Sequence, residues 1–283
     1  MPKVTIVILT FNSSSFIPNL LKSIKDFAPE SEILVVDNAS SDDTLNQLKK
    51  FGNSVKIIET GSNLGFSKGI NYGAKNAKGE YLLFINPDAL VKNGKLTDMI
   101  SVFEENEKIG ILGGKMIGQD GVSEKSAGRF FGLIQIFLLV LGLDEIFGVR
   151  FSPEKLSKVD FVSGGFMMVR SNLFKKLNGF DENFFMYIED MDICYRAKNA
   201  GFDTYFTPVV SISHAGQGSS NRTFAIINIY KGILYFCKQN KPFWEYQIIR
   251  FLLFCKAFGV FILGKIMNNK YYINTYGEAL KLF

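Results

Sequence analysis

Short apolar runs alternate with amphipathic stretches along the first 115 residues. "VTIVIL", "EILVVD", "VKIIE", "YLLFIN" and "IGILGG" read as strands, being short apolar runs set between amphipathic stretches. Residues 15–27, 43–51, 66–77 and 94–105 place apolar residues at helical spacing between them. Strand then helix, repeated, implies a parallel sheet covered on both faces, an α/β architecture of nucleotide-binding type. Ligands of such sheets sit at the carboxyl ends of strands. The positions to inspect are therefore Thr10, Phe11 and Asn12; Asp37 and Asn38; Asn63 to Gly65; and Asn86 to Asp88.

Further along, Gly118 to Gly128 is glycine-rich and polar and reads as a loop able to move. "FFGLIQIFLLVLGL" follows, at 14 residues too short to span a bilayer and better read as a buried or surface-lying helix. A second α/β portion runs from Val159 to Ser213. The remainder looks helical and strongly aromatic, with a domain boundary near Asn221, giving units 1–221 and 222–283.

Charge sharpens this division. The chain carries +5 overall, but residues 222–283 hold nine Lys or Arg against two acids, a net +7 that leaves the rest at −2. That distribution argues against a general nucleic-acid-binding surface. The three cysteines, Cys194, Cys237 and Cys255, are widely spaced, lack CxxC pairing and sit among apolar residues, so they read as reduced core thiols of a cytoplasmic protein. The N-terminus alternates like a strand and is not read as a secretory signal.

Several positions carry chemistry. Asp88 lies just past a buried strand in "LLFINPDAL", after Asn86 and a turn-setting Pro87; such a carboxylate can reach a hard divalent cation, or simply cap the turn. Asp37 and Asn38 end another strand in "VVDNASSDDT", where Ser41 and Asp42 suit capping of the next helix. In "NLGFSKGINYG" the glycines at 65, 69 and 73 share a helical face, which points to close packing, while Asn63 and Gly65 allow backbone approach to a ribose or phosphate. Gly164 and Gly165 in "VSGGFMMVR" suggest a close backbone passage or a β-bulge.

"FMYIEDMDICYRAKNAG" crowds Glu189, Asp190 and Asp192 together, where like charges repel. The i, i+4 spacing pairs Asp192 with Arg196. Glu189 and Asp190 then remain at a helix start whose dipole favours negative charge, and an ionised carboxylate there can take a proton from an alcohol. His214, the single histidine, ends "TPVVSIS" and precedes the flexible-looking "AGQGSS"; it is a satisfied polar residue or, if Asp88 is near, a metal ligand.

Seven motifs in order, "VTIVILTFN", "VVDNASSDDT", "NLGFSKGINYG", "LLFINPDAL", "VSGGFMMVR", "NGFDENFFMYIEDMDICYRAKNAGF" and "SISHAG", closely resemble family 2 glycosyltransferases, and within them the rhamnosyltransferase-like branch, over residues 3 to 216. The resemblance implies a GT-A fold: α/β, with a Rossmann-like mixed sheet flanked by helices, here with a C-terminal helical extension. It further implies a nucleotide-diphosphate sugar donor, a divalent cation (Mn2+ or Mg2+) and inversion at the anomeric carbon. Thr10, Phe11, Asn12 and Asp37 match positions that hold base and ribose, with Asn63 and Gly65 beside them. Asp88 matches the metal-binding end of the DxD motif, whose first acid is replaced here by Asn86, and His214 matches a further metal ligand. Asp190 matches the catalytic base, with Glu189 next to it. Asn38, Asn86, Gly164, Gly165 and Arg196 complete the candidate substrate-binding set.

Residues 248 to 267 are apolar but interrupted by Arg250, Lys256 and Lys265. A basic, aromatic segment over 243–267 suits a membrane surface, at the inner face of the cell membrane, while packing on the catalytic domain or across a homodimer interface explains it nearly as well. The expected reaction is transfer of a sugar to a hydroxyl of a glycan or lipid-linked glycan in cell-surface polysaccharide synthesis, with dTDP-rhamnose the first candidate donor and UDP-hexoses next. An inactive sugar-nucleotide or glycan binder on the same fold would be expected to lack Asp190 or Asp88, and both are present. A nucleotidyltransferase would want a basic, glycine-rich loop after the first strand, and "TFNSSS" supplies neither.

Overall fold

The structure is a computed structural model and describes residues 2–214 and 222–283. The boundary expected near Asn221 and the "AGQGSS" segment lie outside the described residues. The chain forms two compact units: Met1–Gly128, Phe151–Phe185 and Glu189–Ser219 make the first, while Arg129–Arg150, Met186–Ile188 and Ser220–Phe283 make the second.

In chain order, β1 (Val4–Thr10), α1 (Ile17–Phe27), β2 (Glu32–Asp37), α2 (Thr44–Lys49), β3 (Lys56–Glu59), α3 (Gly65–Ala74) and β4 (Tyr81–Ile85) alternate as the pattern predicts. An unpredicted strand, β5 (Ala89–Asn93), precedes α4 (Leu96–Glu105), β6 (Ile109–Ile117) and β7 (Ala127–Gly128). After α5 (Leu133–Val140) the chain returns through β8 (Arg150–Phe151), β9 (Ser157–Val159), β10 (Phe161–Val162), β11 (Phe166–Arg170), α6 (Ser171–Lys176), α7 (Glu189–Asn199) and β12 (Asp203–His214). The chain ends in α8 (Arg222–Asn240), α9 (Phe243–Ile266) and α10 (Lys270–Leu280).

The main sheet runs β3-β2-β1-β4-β11-β6-β12-β5, with β9 also paired to β12. Its first four strands are parallel, whereas β11 is antiparallel to both β4 and β6, and β5 is antiparallel to β12. The sheet is thus mixed, which the strand–helix alternation alone did not indicate. A strand inserted from far along the chain takes its direction from its connection, not from its hydrophobic pattern.

Only Asn86, Pro87 and Asp88 separate β4 from β5, although β11, β6 and β12 lie between them in the sheet. Four strand spacings in a flat sheet would measure about 19 Å, against a reach of at most about 14 Å for that link. The sheet must therefore curl, and the curl brings the far edge back to the turn that carries Asp88. On one sheet face, Ile17, Leu20, Ile24 and Phe27 of α1 join Met99 and Phe103 of α4 and the strand residues Ile6, Ile8, Leu83 and Ile85 in one apolar core. On the other, α3 packs so closely that a Cβ on Gly69 would fall 2.5 Å from Leu9 Cδ1. The shared glycine face is a packing surface, as its spacing suggested.

The second unit is helical. Glu245 caps α5 by accepting from Leu133 N–H at 3.0 Å, and Lys256 donates to Leu139 O at 2.7 Å near its other end, each charge matching the helix dipole it meets. Gly264 lets the next helix approach, a Cβ there falling 2.7 Å from Tyr272 Cβ, and Asn269 caps α10 by accepting from Tyr272 N–H. Gly232 of α8 meets Tyr187 and Ile188, where an added Cβ would lie 2.8 Å from Ile188 Cγ1. Cys194 and Cys237 are buried, each thiol pushed up to about 12 by burial. Cys255 is exposed, contrary to its reading as a core thiol, because its face of α9 points outward.

Candidate active site

The carboxyl ends of β1, β2 and β3 are level, with Thr10 opposite Asp37 and Asp37 opposite Glu59. Asn38 N–H donates to Thr10 O at 2.8 Å, and the Thr10 hydroxyl lies 3.3 Å from Asp37 Oδ1. Asn12, left-handed at φ 51, accepts through Oδ1 from Ser41 N–H at 2.8 Å, joining the loops after β1 and β2. Ser41 thus serves Asn12. Asp42 sits one residue ahead of the N-cap Asp43 and accepts from the first N–H of α2, that of Thr44, and from Ser14 N–H; although burial opposes it, hydrogen bonds from the side chains of Ser14 and Thr44, and then from these amides, pull its carboxyl down to about 2. Asn38 spans the next gap, donating to Asn63 Oδ1 at 2.9 Å and to Gly65 O at 3.3 Å while accepting from Leu64 N–H. Thr10, Asn12, Asp37, Asn38, Asn63 and Gly65 form one bonded rim, with Phe11 half-buried beside it.

Register brings the next group together. His214 pairs with Ala89 across β12 and β5, which sets its ring against the neighbouring Asp88: Nε2 lies 3.1 Å from Asp88 Oδ1 and 3.4 Å from Asn86 Nδ2. Hydrogen bonding to Asp88, with Coulombic help from Asp88 and Glu124, raises the imidazole above its ordinary value against the cost of burial. Asp88 is buried, and its Oδ2 has no hydrogen-bond partner among the described residues. These two side chains help line an open cleft of about 560 Å³ that also takes in Asn19, Lys92 and Gln119. Among the described residues no group of three or more His, Cys, Asp or Glu gathers as a cation cage.

The glycine pair ties this end to the helix carboxylates. Asn86 N–H donates to Gly165 O at 3.0 Å, and Gly164 N–H donates to Asp190 Oδ2 at 3.1 Å. A Cβ on Gly165 would fall 2.8 Å from Asn86 Nδ2, so what passes close to the backbone here is the Asn86 side chain. Asp190 opens α7 and also accepts from Met191 N–H at 2.8 Å. Glu189 is buried; desolvation first and the Asp190 charge second push its carboxyl well above the usual range, and its Oε2 has no partner among the described residues. Tyr187 and Ile188 just before it hold φ 72 and 73, a strained pair of the kind found at functional sites.

Arg196 pairs with Asp192 at 2.7 Å, as its spacing predicted, and also donates to Leu177 O and Gly179 O. Its hydrogen bonds place the guanidinium among Asp192 and these carbonyls. Two supports escaped the sequence reading. Asn71 of α3 brackets Phe180, donating to its carbonyl at 2.8 Å and accepting from its N–H at 2.9 Å, and Glu124 reaches within 3.6 Å of His214 Nδ1. Asn71 stands within the "NLGFSKGINYG" motif, but its partner Phe180 is more than a hundred residues away, and Glu124 lies in no motif; each meets its partner only through long-range packing.

A curled mixed sheet with an acid-bearing turn after its fourth strand and a carboxylate pair opening a helix defines a GT-A glycosyltransferase. The chain belongs to glycosyl transferase family 2, matched over residues 5–177, and residues 152–216 also match the family described as the N-terminal domain of galactosyltransferase. It is 27% identical over 231 residues to the rhamnosyltransferase WbbL of Escherichia coli (strain K12), covering 78% of this chain and 86% of that one. It is 24% identical over 243 residues to an N-acetylglucosaminyl-diphospho-decaprenol L-rhamnosyltransferase of Mycobacterium tuberculosis, covering 77% of each. The crystal structure of Staphylococcus aureus TarS 1-349 in complex with UDP-GlcNAc aligns with TM-score 0.61 at 21% identity, covering 98% of this chain and 81% of that one, a likeness of fold.

Proposed function

We propose that this glycosyltransferase is an inverting, cation-assisted enzyme that moves a sugar from a nucleoside-diphosphate donor to a hydroxyl of a glycan or lipid-linked glycan, in cell-surface polysaccharide synthesis at the inner face of the cell membrane. Rhamnose from dTDP-rhamnose is the first candidate, in keeping with the rhamnosyltransferases among its relatives, one of which acts on a diphospho-decaprenol acceptor by its name. UDP-hexoses come next.

The observation that carries the reading is the Gly164–Gly165 turn, which holds Asn86 through one residue and Asp190 through the other. One rigid backbone element thereby sets the spacing between the leaving-group end and the base end. Asp190, oriented by two backbone amides and favoured as an anion at a helix start, takes the proton of the acceptor hydroxyl as it attacks the anomeric carbon. The Thr10, Asp37 and Asn38 rim holds base and ribose. Asp88 and His214 suit a divalent cation: a buried carboxylate oxygen without a donor is what a hard cation satisfies, and an imidazole nitrogen lies beside it. When bound, such a cation neutralises charge developing on the departing nucleoside diphosphate.

The test is nucleotide release across UDP-, GDP- and dTDP-sugars, with and without Mn2+ or Mg2+. Turnover of one donor should need the cation and be lost in Asp88→Ala. In Asp190→Asn, turnover should fall by about 10²- to 10⁴-fold, the range of a lost general base, with donor binding retained. Near-normal transfer by Asp190→Asn would remove it as the base.

A further inference from the structure

We propose that α9 lies flat on an anionic bilayer surface, seating a stripe of Trp244, Ile248, Phe251, Phe258, Ile262 and Ile266 among the acyl chains. The inference rests on the membrane placement in the reading above and adds the face, the orientation and the lipid class.

Steps of three, four and seven residues keep those positions on one side of the helix. All six are exposed, Phe251 at 64%, Trp244 at 60% and Ile266 at 78%, and Cys255 continues the row. The opposite side, Ile249, Leu253, Ala257 and Gly264, is buried in the helical unit. A row of exposed aromatic and branched residues this long exceeds the scattered apolar surface of ordinary proteins.

The bases that interrupt the sequence do not interrupt the stripe. Arg250 donates to the Phe283 carbonyl and Lys256 to Leu139 O, so both are drawn toward the protein side. Lys265 sits near the helix end, 5.1 Å over the Phe261 ring, a place from which its ammonium can reach headgroups. On α5, Ile134, Phe137 and Leu141 add a second exposed row at i, i+3 and i+7.

Charge chooses the occupant. The 222–283 segment is net +7 and exposes Arg222, Lys231, Lys238, Lys265 and Lys270. Two such faces brought together repel, whereas anionic headgroups attract each of those bases. Helix α9 has the length and composition to cross a bilayer. Its buried side nevertheless packs on α8 and α10, which carry Lys231, Lys238, Lys270 and the Glu278–Lys281 pair, and a crossing would take those charges into hydrocarbon. A flat helix leaves them in water.

Trp244 is the chain's single tryptophan and reports directly. With the full-length protein, its emission should shift to the blue, and be quenched by brominated acyl chains, on adding phosphatidylglycerol-containing vesicles but not pure phosphatidylcholine. High salt should weaken the effect. Phe251→Ser with Phe258→Ser should lower vesicle partitioning at least about tenfold, with circular dichroism unchanged. In a Trp244→Phe background, a reporter placed by Phe258→Trp or Ile266→Trp should quench at the same shallow depth. A much deeper mid-helix reporter would show a crossing helix and overturn the flat orientation. A dimer in which Trp244 is already shielded and vesicles change nothing would give the stripe to a second copy and overturn the proposal. No sugar transfer enters this assay, so a failed donor panel and a failed vesicle test are distinguishable.

Discussion

Glu189 and Asp190 are neighbours held in different surroundings. Asp190 is oriented by the amides of Gly164 and Met191, whereas Glu189 is buried beside another carboxylate, with Oε2 unpartnered among the described residues. Its folded pKa therefore stands above 4.5. The folded protein binds that proton more tightly than the unfolded chain, so stability contributed at low pH is lost as pH rises from about 4.5 through the folded pKa. Glu189→Gln keeps the shape and removes the ionisation. Its melting temperature relative to wild type should climb steadily with pH above that point, and a difference flat across pH would show that Glu189 does not titrate there. Gly65, at φ 78, is a second case: a Cβ there would fall 2.5 Å from Phe185 O. Gly65→Ala should cost about 1–3 kcal/mol in chemical denaturation from backbone strain alone. Asp37, Asp88 and the Asp192–Arg196 pair were readable as residues, from strand ends and i, i+4 spacing. Glu124 was not, because nothing local links a glycine-rich loop to a histidine ninety residues on.

At the scale of elements, α7 is held by one side chain doing three jobs. Arg196 pairs with Asp192, itself nearly buried, and its Nη1 draws in the carbonyls of Leu177 and Gly179 ahead of the helix. Removing it strands a buried carboxylate and two acceptors, so Arg196→Ala should lose about 3 kcal/mol in urea unfolding. Arg196→Lys should recover less than half of that, since an ammonium cannot span three acceptors as a planar fork does. Donor KM should stay within about threefold of wild type; a rise of about tenfold or more would show that Arg196 takes part in donor binding. The same contrast between local and distant explains which elements the sequence disclosed. The helices and strands up to β4 announce themselves by period, and α3 by its glycine face. Strand β5 hides because Asn86-Pro87-Asp88 looks like the end of an element, and its partner β12 lies more than a hundred residues away. The antiparallel β11 hides likewise, since an apolar run has no direction.

For the molecule as a whole, the two units interleave along the chain. The helical unit draws Arg129–Arg150 from the middle of the sequence as well as the helices α8 to α10 from its end, and the charge and composition that set residues 222–283 apart give no sign of the earlier segment. A consequence follows for any shortened protein. Helix α5 takes its N-terminal cap from Glu245 and the bond at Leu139 O from Lys256, and Ile136 is fully buried. Ending the chain at residue 221 removes both partners while leaving α5, with Ile134, Phe137 and Leu141 already exposed, to shed its remaining cover. The 1–221 chain should therefore bind an apolar-surface dye strongly and elute as aggregate, while the full chain elutes as a discrete species. If the shortened chain instead remained monomeric with an unchanged melting temperature, α5 would not depend on the helices that follow, and the C-terminal segment would be a separable appendage.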